Sequence, residues 1–348
     1  MKLLIITQKV DQNDDILGFF LVWLREFART CEEVTVICLE KGEYTLPGNV
    51  RVFSLGKEQG TSYVKYILNF YRYIIGERKN YDAVFVHMNP EYVVLGGLVW
   101  RLLGKKIGLW YTHKAVDLKL RIAEKFTNYI FTGAEESFLL KTKKVYIVGH
   151  GIDVSQYARR GIRKVEDLTI LHVGRITPIK NIDILIEAVR RFVVTAGTRV
   201  RVLLAGNPVT KEDFLYKEQV VALIKKYHLE DVVVFLGSIP NKDIAPFYQE
   251  ADISLNLAPT GGIDKVVLES MASGVPVFCS NRAFAKYFGP YAKDFIFAER
   301  NPEDLALKIE EFLKREDQKV IKEFLVGSAR EKGSIATLTA RFLEILKK

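Results

Sequence analysis

LTILHVGRITPIKN, residues 168–181, decides how the rest of the chain is read. Its first half is a short apolar run rich in β-branched residues. Gly174 ends that run, Arg175 follows at once, Pro178 stiffens the turn, and Lys180 arrives just before helical spacing begins. A continuous apolar strand that passes through a glycine turn into a helix opens a βα unit with both faces of its strand covered. In doubly wound sheets ligands bind beyond the carboxyl ends of strands, so this turn is also the first place to look for chemistry. Arg175 supplies a planar fork of donors and Lys180 a point charge, a combination that grips a diphosphate through charge-assisted hydrogen bonds. An ordinary turn with two solvated basic residues would carry the same letters.

Outward from this stretch the alternation continues in both directions. Downstream come a helix at 181–195, RVRVLLAG, a helix at 212–227, VVVFLGS, a short helix at 243–250, ISLNLA, a helix at 265–273 and PVFCS, after which the last fifty residues read as helices only. Upstream, KLLIIT, EVTVICL, VRVFSL, DAVFVH, KIGLWYT, YIFTGA and KVYIVG are separated by helical stretches at 17–30, 62–77, 91–103 and 117–126. Strands alternating with helices imply parallel sheets with crossover helices. The 348 residues exceed one ordinary core and suit two, since single domains cluster near ~100–200 residues. Charged and aperiodic, SQYARRGIRKVED at 155–167 suits a linker. The expected fold class is α/β: a Rossmann-like domain over 1–160, a second over 161–329, and a tail over 330–348.

A second stretch, APTGGIDKVVLESMASGVP at 258–276, adds chemistry. Gly261 and Gly262 stand ahead of a helix whose first free N–H groups can face an anion. Glu269 lies inside that helix on a face shared with Lys265 and Val266, where a carboxylate can accept the two hydroxyls of a ribose. Taken singly, a surface glutamate and a plain turn explain these residues as well.

HVGRITPIKN, the glycine turn and LESMASGVPV together resemble the C-terminal signature of the family 4 retaining glycosyltransferases, and HGID at 150–153 agrees with it. The resemblance implies the GT-B architecture, two Rossmann-like domains facing each other across a cleft. It implies a nucleotide-diphosphosugar donor in the C-terminal domain, an acceptor on the N-terminal one, and transfer with retained anomeric configuration. By the same resemblance Arg175 and Lys180 hold the diphosphate after Gly174, Glu269 holds the ribose, and the turns after RVRVLLAGN and in GSIPNKDI at 237–244 lie near the base. The final helix crosses back to the N-terminal domain. One departure stands out: the family carries a second glutamate eight positions before Glu269, and here that position is Gly261. Asp264, or the backbone amides of Gly262 and Ile263 ahead of Lys265, are candidates to serve the sugar in its place; alternatively Asp264 only complements the helix N-terminus. Rival readings are a sugar-nucleotide 2-epimerase and a non-catalytic sugar-nucleotide-binding subunit.

In the N-terminal half, the loop within TQKVDQNDDILGFF (7–20) holds Gly18, either a donor contact or a packing residue, and Asp11, Asp14 and Asp15, which could meet acceptor hydroxyls. His113 follows a strand, and the family's histidine at the equivalent loop makes it a candidate catalytic-site residue beside Arg175 and Lys180. His87 reads as structural. No metal motif appears and no cofactor is expected, the nucleotide sugar being a substrate.

The net charge is +9, and residues 101–125 hold seven Lys or Arg against Asp117 and Glu124. A solvated helix face, an anionic membrane surface and nucleic acid compete to explain this, in that order, since no nucleic-acid module accompanies the charge. YVKYILNFYRYII at 63–75 suits an interfacial helix but suits a buried crossover helix better. The expected acceptor is a glycan, a lipid-linked group or a small molecule. No apolar run reaches the ~18 residues needed to span a bilayer, MKLLIITQ reads as a strand rather than a signal peptide, and Cys31, Cys38 and Cys279 have no paired spacing. These features point to the cytosol, with peripheral association at the inner membrane face an open alternative.

Overall fold

The computed structural model describes residues 1–14, 17–157, 167–196 and 199–348. The chain forms two compact units, Met1–Gly151 with Ile335–Lys348, and Ile152–Ser334. The division falls at Gly151 rather than at 160 because Ile152 bridges Ser334 and Tyr157 packs edge-on against Tyr248 at 5.8 Å. Most of the stretch read as a linker, 158–166, lies outside the described residues.

The first unit runs β1 (Lys2–Val10), α1 (Phe20–Thr30), β2 (Glu33–Lys41), β3 (Val50–Ser54), α2 (Tyr63–Gly76), β4 (Ala83–His87), α3 (Pro90–Leu102), β5 (Lys106–Trp110), α4 (Leu118–Phe126), β6 (Tyr129–Thr132) and β7 (Val145–Ile147). Its parallel sheet has the order β3-β2-β1-β4-β5-β6-β7. β1 is longer than KLLIIT suggests. Lys9 and Val10 continue the pairing with Glu40 and Lys41 of β2, so the loop behind the strand starts only at Asp11. Ser62 accepts from Lys65 N at the head of α2, and Asp117 accepts from Leu120 N at the head of α4, satisfying N–H groups that a first helical turn leaves free.

The second unit runs β8 (Leu168–Val173), α5 (Ile182–Ala196), β9 (Val200–Ala205), α6 (Lys211–Lys226), β10 (Val233–Gly237), α7 (Ala245–Glu250), β11 (Ile253–Asn256), α8 (Lys265–Ala272), β12 (Val277–Cys279), the short α9 (Ala285–Phe288) and α10 (Ala292–Phe295), then α11 (Pro302–Leu313) and α12 (Gln318–Lys332). Its parallel sheet has the order β10-β9-β8-β11-β12. The helix expected from residue 181 begins one residue later. Pro178–Lys180 forms a separate 3-10 turn, and Asn181, at φ 47°, breaks the chain direction before α5.

α13 (Ile335–Lys347) belongs to the first unit, where it lies beside α1. Phe342 is fully buried there, ringed by Trp23, Phe27, Phe85, Trp110 and Phe131 at centroid distances between 4.8 and 6.2 Å. This core covers one face of the first sheet. The other face is covered by α2, α3 and α4 through Phe70, Ile74, Val93, Trp100, Leu120 and Ala123. With both faces covered, the central strands can be apolar throughout, as Leu3, Leu4, Ile5 and Ile6 are.

Candidate functional site

In each sheet the strand order reverses at one place, between β1 and β4 in the first unit and between β8 and β11 in the second. Such a switch point opens a crevice beyond the carboxyl ends of the two strands. In the second unit those ends carry both sequence motifs.

Three turns close on one another there. Gly174 N donates to Ala205 O at 2.9 Å, Ile176 N to Asn207 O at 3.2 Å, and Gly206 N to Gly237 O at 2.7 Å. A Cβ on Gly206, at φ 146°, would fall 1.9 Å from Gly174 O, so only glycine lets the β9 turn lie against the Arg175 turn. The turns after β9 and β10 therefore lie beside Gly174. Arg175 is exposed at the start of its loop.

Lys180 is placed differently. Its Nζ lies 2.7 Å from Asp264 Oδ2, and Asn256 Nδ2 donates to the same oxygen at 2.9 Å. Burial pushes the Asp264 carboxyl up, but Lys180 and the Asn256 amide outweigh it and hold the group below its ordinary range. Asp264 occupies the N-cap of α8 without making a side-chain cap bond. Its carboxylate is committed to Lys180 and Asn256, so a bonded capping role is ruled out. Asn181 ties the loop to the neighbouring strand end through Leu257 O at 2.9 Å, and Arg300 donates to its Oδ1 at 2.5 Å.

Beneath the loop, His172 is fully buried and donates from Nδ1 to Leu255 O at 3.0 Å, while its Nε2 has no hydrogen-bond partner. Burial, reinforced by the Lys180 charge, lowers its pKa to about 4 and keeps the ring neutral.

Gly261, Gly262 and Ile263 do not lead directly into the helix, which starts only at Lys265. Gly261 and Ile263 are buried; Gly262 is exposed, and its carbonyl accepts from Asn281 Nδ2 at 2.8 Å. Glu269 is 3% exposed and so is not a surface helix glutamate. Its Oε2 accepts from Tyr248 at 3.1 Å and its Oε1 from Asn241 Nδ2 at 3.3 Å, while the Asn241 amide also reaches Tyr157 Oη at 3.3 Å. Burial drives the Glu269 carboxyl up against the pull of Lys265 and the two tyrosines. Lys265, one turn earlier, is lowered to about 8 by burial, against the pull of Glu269 and Asp264.

Gly18 and His113 lie in the other unit. Gly18 N donates to Asp14 O at 2.9 Å, and a Cβ there would meet that oxygen at 2.6 Å, which accounts for the glycine by packing alone. His113 is exposed after β5, its ring edge-on to Tyr111 at 5.7 Å. Lys9 Nζ engages Asp11, Asp14 and Glu40 at 3.5, 3.0 and 2.8 Å. Asp15 lies outside the described residues. His87 is buried and stacked on Phe20 at 4.1 Å. Among the described residues no group of three or more His, Cys, Asp or Glu could hold a metal ion.

Sequence reasoning missed His172, Asn256, Asn241, Tyr157 and Tyr248. A polar residue at the end of an apolar strand was a usable signal for His172 and Asn256, because the switch point makes strand ends matter. Tyr248 and Asn241 reach Glu269 through tertiary packing alone.

Residues 155–323, which make up most of the Ile152–Ser334 unit, match the model of the family described as glycosyl transferases group 1. Among characterised relatives, N-acetyl-alpha-D-glucosaminyl L-malate synthase of Bacillus anthracis is 24% identical over 58% of this chain and 57% of its own length. Mannosylfructose-phosphate synthase of Agrobacterium fabrum is 26% identical over 52% of this chain and 42% of its own. The chain thus spans little more than half the length of the first relative and less than half of the second. Among solved structures, HepE of Anabaena in complex with UDP is similar over 100% of both chains, with a TM-score of 0.78 at 15% identity. A glycosyltransferase of Rickettsia africae is similar over 99% of this chain and 98% of its own, with a TM-score of 0.76 at 16% identity. These likenesses establish the fold, two Rossmann-like units of the GT-B class.

Proposed function

We propose that this chain is a retaining glycosyltransferase of family 4 that binds a nucleotide-diphosphosugar at the switch point of the Ile152–Ser334 unit and passes the sugar to an acceptor hydroxyl. The reading rests most on the convergence at that point of Gly174, Arg175, Lys180, Gly206 and the head of α8. Arg175 and Lys180 meet the diphosphate, Glu269 with its tyrosines faces the ribose side, and Gly262, Ile263, Asp264 and Lys265 border the sugar. As the acceptor oxygen bonds the anomeric carbon, the bond from that carbon to the β-phosphate oxygen breaks. The hydroxyl proton passes to the departing diphosphate. Charge growing on the leaving group is stabilised by the two cations, a preorganised electrostatic contribution. His113 belongs to the catalytic site, with no proton role assigned to it.

UDP is the first nucleotide to test, because HepE of Anabaena was crystallised with UDP and with UDP-glucose. The acceptor is a glycan, a lipid-linked group or a small molecule. No metal is required, the cations taking its place, so activity should survive EDTA. Three buried free cysteines, Cys31, Cys38 and Cys279, suit work in the cytosol, where thiols stay reduced. The relatives named above are synthases and transferases, which favours transfer over epimerisation and over a non-catalytic subunit. Calorimetric titration with nucleoside diphosphates, followed by product NMR, tests the reading. Binding of one of them, weakened by Arg175→Ala, with an α-linked product from an α-linked donor, is expected. Sugar isomerisation without acceptor, or binding without transfer or slow donor hydrolysis, would overturn it.

A further inference from the structure

α2, α3 and α4 lie side by side on one face of the first sheet, with Phe70, Ile74, Trp100 and Leu120 turned into the core. Tyr71 Oη donates to Leu95 O at 2.9 Å, joining α2 to α3, and Lys119 pairs with Glu91 at 2.8 Å, joining α4 to α3. The outer surface of this layer is not polar. Tyr63, Val64, Leu68 and Ile75 of α2, Leu98 and Leu102 of α3, and Leu118 and Ile122 of α4 are all exposed; Tyr63 is 71%, Leu118 72% and Leu102 79% open. They make up half of the exposed large apolar side chains among the described residues. The 63–75 segment is thus a crossover helix buried on one face only, through Phe70 and Ile74.

Basic residues share these outer stripes. Val64, Leu68, Arg72 and Ile75 follow one another at helical spacing, as do Leu118, Arg121, Ile122 and Lys125, with Arg101 beside Leu102. The three helices carry Lys65, Arg72, Arg101, Lys119, Arg121 and Lys125 against only Glu91 and Glu124. Both acids are already engaged, Glu91 by Lys119 and Glu124 by Thr142 and Lys144. A solvated surface helix has no need of such apolar stripes, and a protein interface of this charge would need an acidic partner. Large apolar side chains interleaved with cations that outnumber the acids match the boundary of an anionic bilayer, where chains meet headgroups. At the head of α2 the face also borders a cavity of about 320 Å³, where Tyr63, Tyr66, Phe70 and Tyr92 stand beside Glu91 and Lys119.

We infer that the outer face of α2, α3 and α4 docks on an anionic lipid surface. Lys105 takes little part, since it is turned inward and donates to Tyr81 O at 2.5 Å. The inference does not depend on the donor site.

Co-sedimentation of the full chain tests it, with vesicles of equal parts phosphatidylglycerol and phosphatidylcholine compared with phosphatidylcholine alone. Binding to the anionic vesicles only is expected. It should fall about tenfold or more in Arg72→Gln/Arg121→Gln, and similarly in Leu68→Glu/Leu98→Glu. Phe214→Glu, at an exposed apolar position of α6 in the other unit, should leave it unchanged. Circular dichroism of each variant confirms that it is folded. Failure to bind anionic vesicles, equal binding to both vesicle types, or a soluble dimer that Leu98→Glu dissociates would each overturn the inference.

Discussion

The Lys180 ammonium lies 2.7 Å from Oδ2 of Asp264, so one of the two cations assigned to the diphosphate already holds a carboxylate at the head of α8. The Lys180 side chain is 17% exposed and that of Asp264 33%, so the pair is only partly screened by solvent. An incoming diphosphate must share Lys180 with Asp264 or displace it.

Two substitutions should therefore move nucleotide affinity in opposite directions. Lys180→Ala removes a charge-assisted bond of about 1.5–3 kcal/mol, roughly a 10- to 100-fold loss of UDP affinity. Asp264→Asn removes a negative charge beside the phosphates and should tighten UDP several-fold at low salt, an effect that shrinks as salt rises. Titration calorimetry at two ionic strengths reads both. Weaker binding in Asp264→Asn would show that the carboxylate positions the lysine rather than competing for it.

Glu269 should matter to stability as much as to binding. With Tyr248 and Asn241 donating to it and Lys265 one turn away, Glu269→Ala leaves buried donors without an acceptor and removes one of the two carboxylates whose charge acts on the buried lysine. A loss of about 3 kcal/mol is expected. Glu269→Gln keeps an acceptor oxygen and should cost less. Urea unfolding of the two variants orders them, and equal losses would contradict this account of the cage.

How much of this was legible in the sequence follows physical lines. The strands announced themselves because a sheet covered on both faces needs unbroken apolar runs such as LLII at 3–6 and TILHV at 169–173. The Arg175 loop was visible because glycine, proline and two cations crowd into seven residues. What stayed hidden depends on partners distant in the chain. Asp264 pairs with a lysine 84 residues away, and Glu269 with a tyrosine 21 residues earlier. α2 was legible only in part because its period-3.6 apolar content suits two faces, and only packing shows that Leu68 lies outside while Phe70 lies inside.

His172 should leave its mark on acid stability. Its folded pKa of about 4 lies below its ordinary value of 6.5, so between those pH values the unfolded chain binds a proton that the folded one does not. Stability then rises with pH across this window, and its contribution is lost as pH falls from 6.5 to about 4. The full effect is on the order of 3 kcal/mol. In His172→Gln the slope of unfolding free energy against pH in this window should flatten relative to wild type. An unchanged slope would mean that the ring protonates while buried.

Phe342 ties the last helix to the first unit. It is fully buried and sits within aromatic contact of Trp23, Phe27, Phe85, Trp110 and Phe131, rings drawn from α1, β4, β5 and β6. Rings this closely set are held in place by their neighbours and cannot collapse into a void, so the cavity left by Phe342→Ala should stay largely open. The cost is expected near the upper end of about 3–5 kcal/mol. Phe342→Leu, which refills most of the volume, should recover more than half of it. Because the cavity lies in the first unit, UDP affinity measured where each variant remains folded should be unchanged. Thermal unfolding with and without UDP separates the two quantities. A fall in nucleotide affinity that tracks the loss of stability would show that α13 acts on the second unit as well.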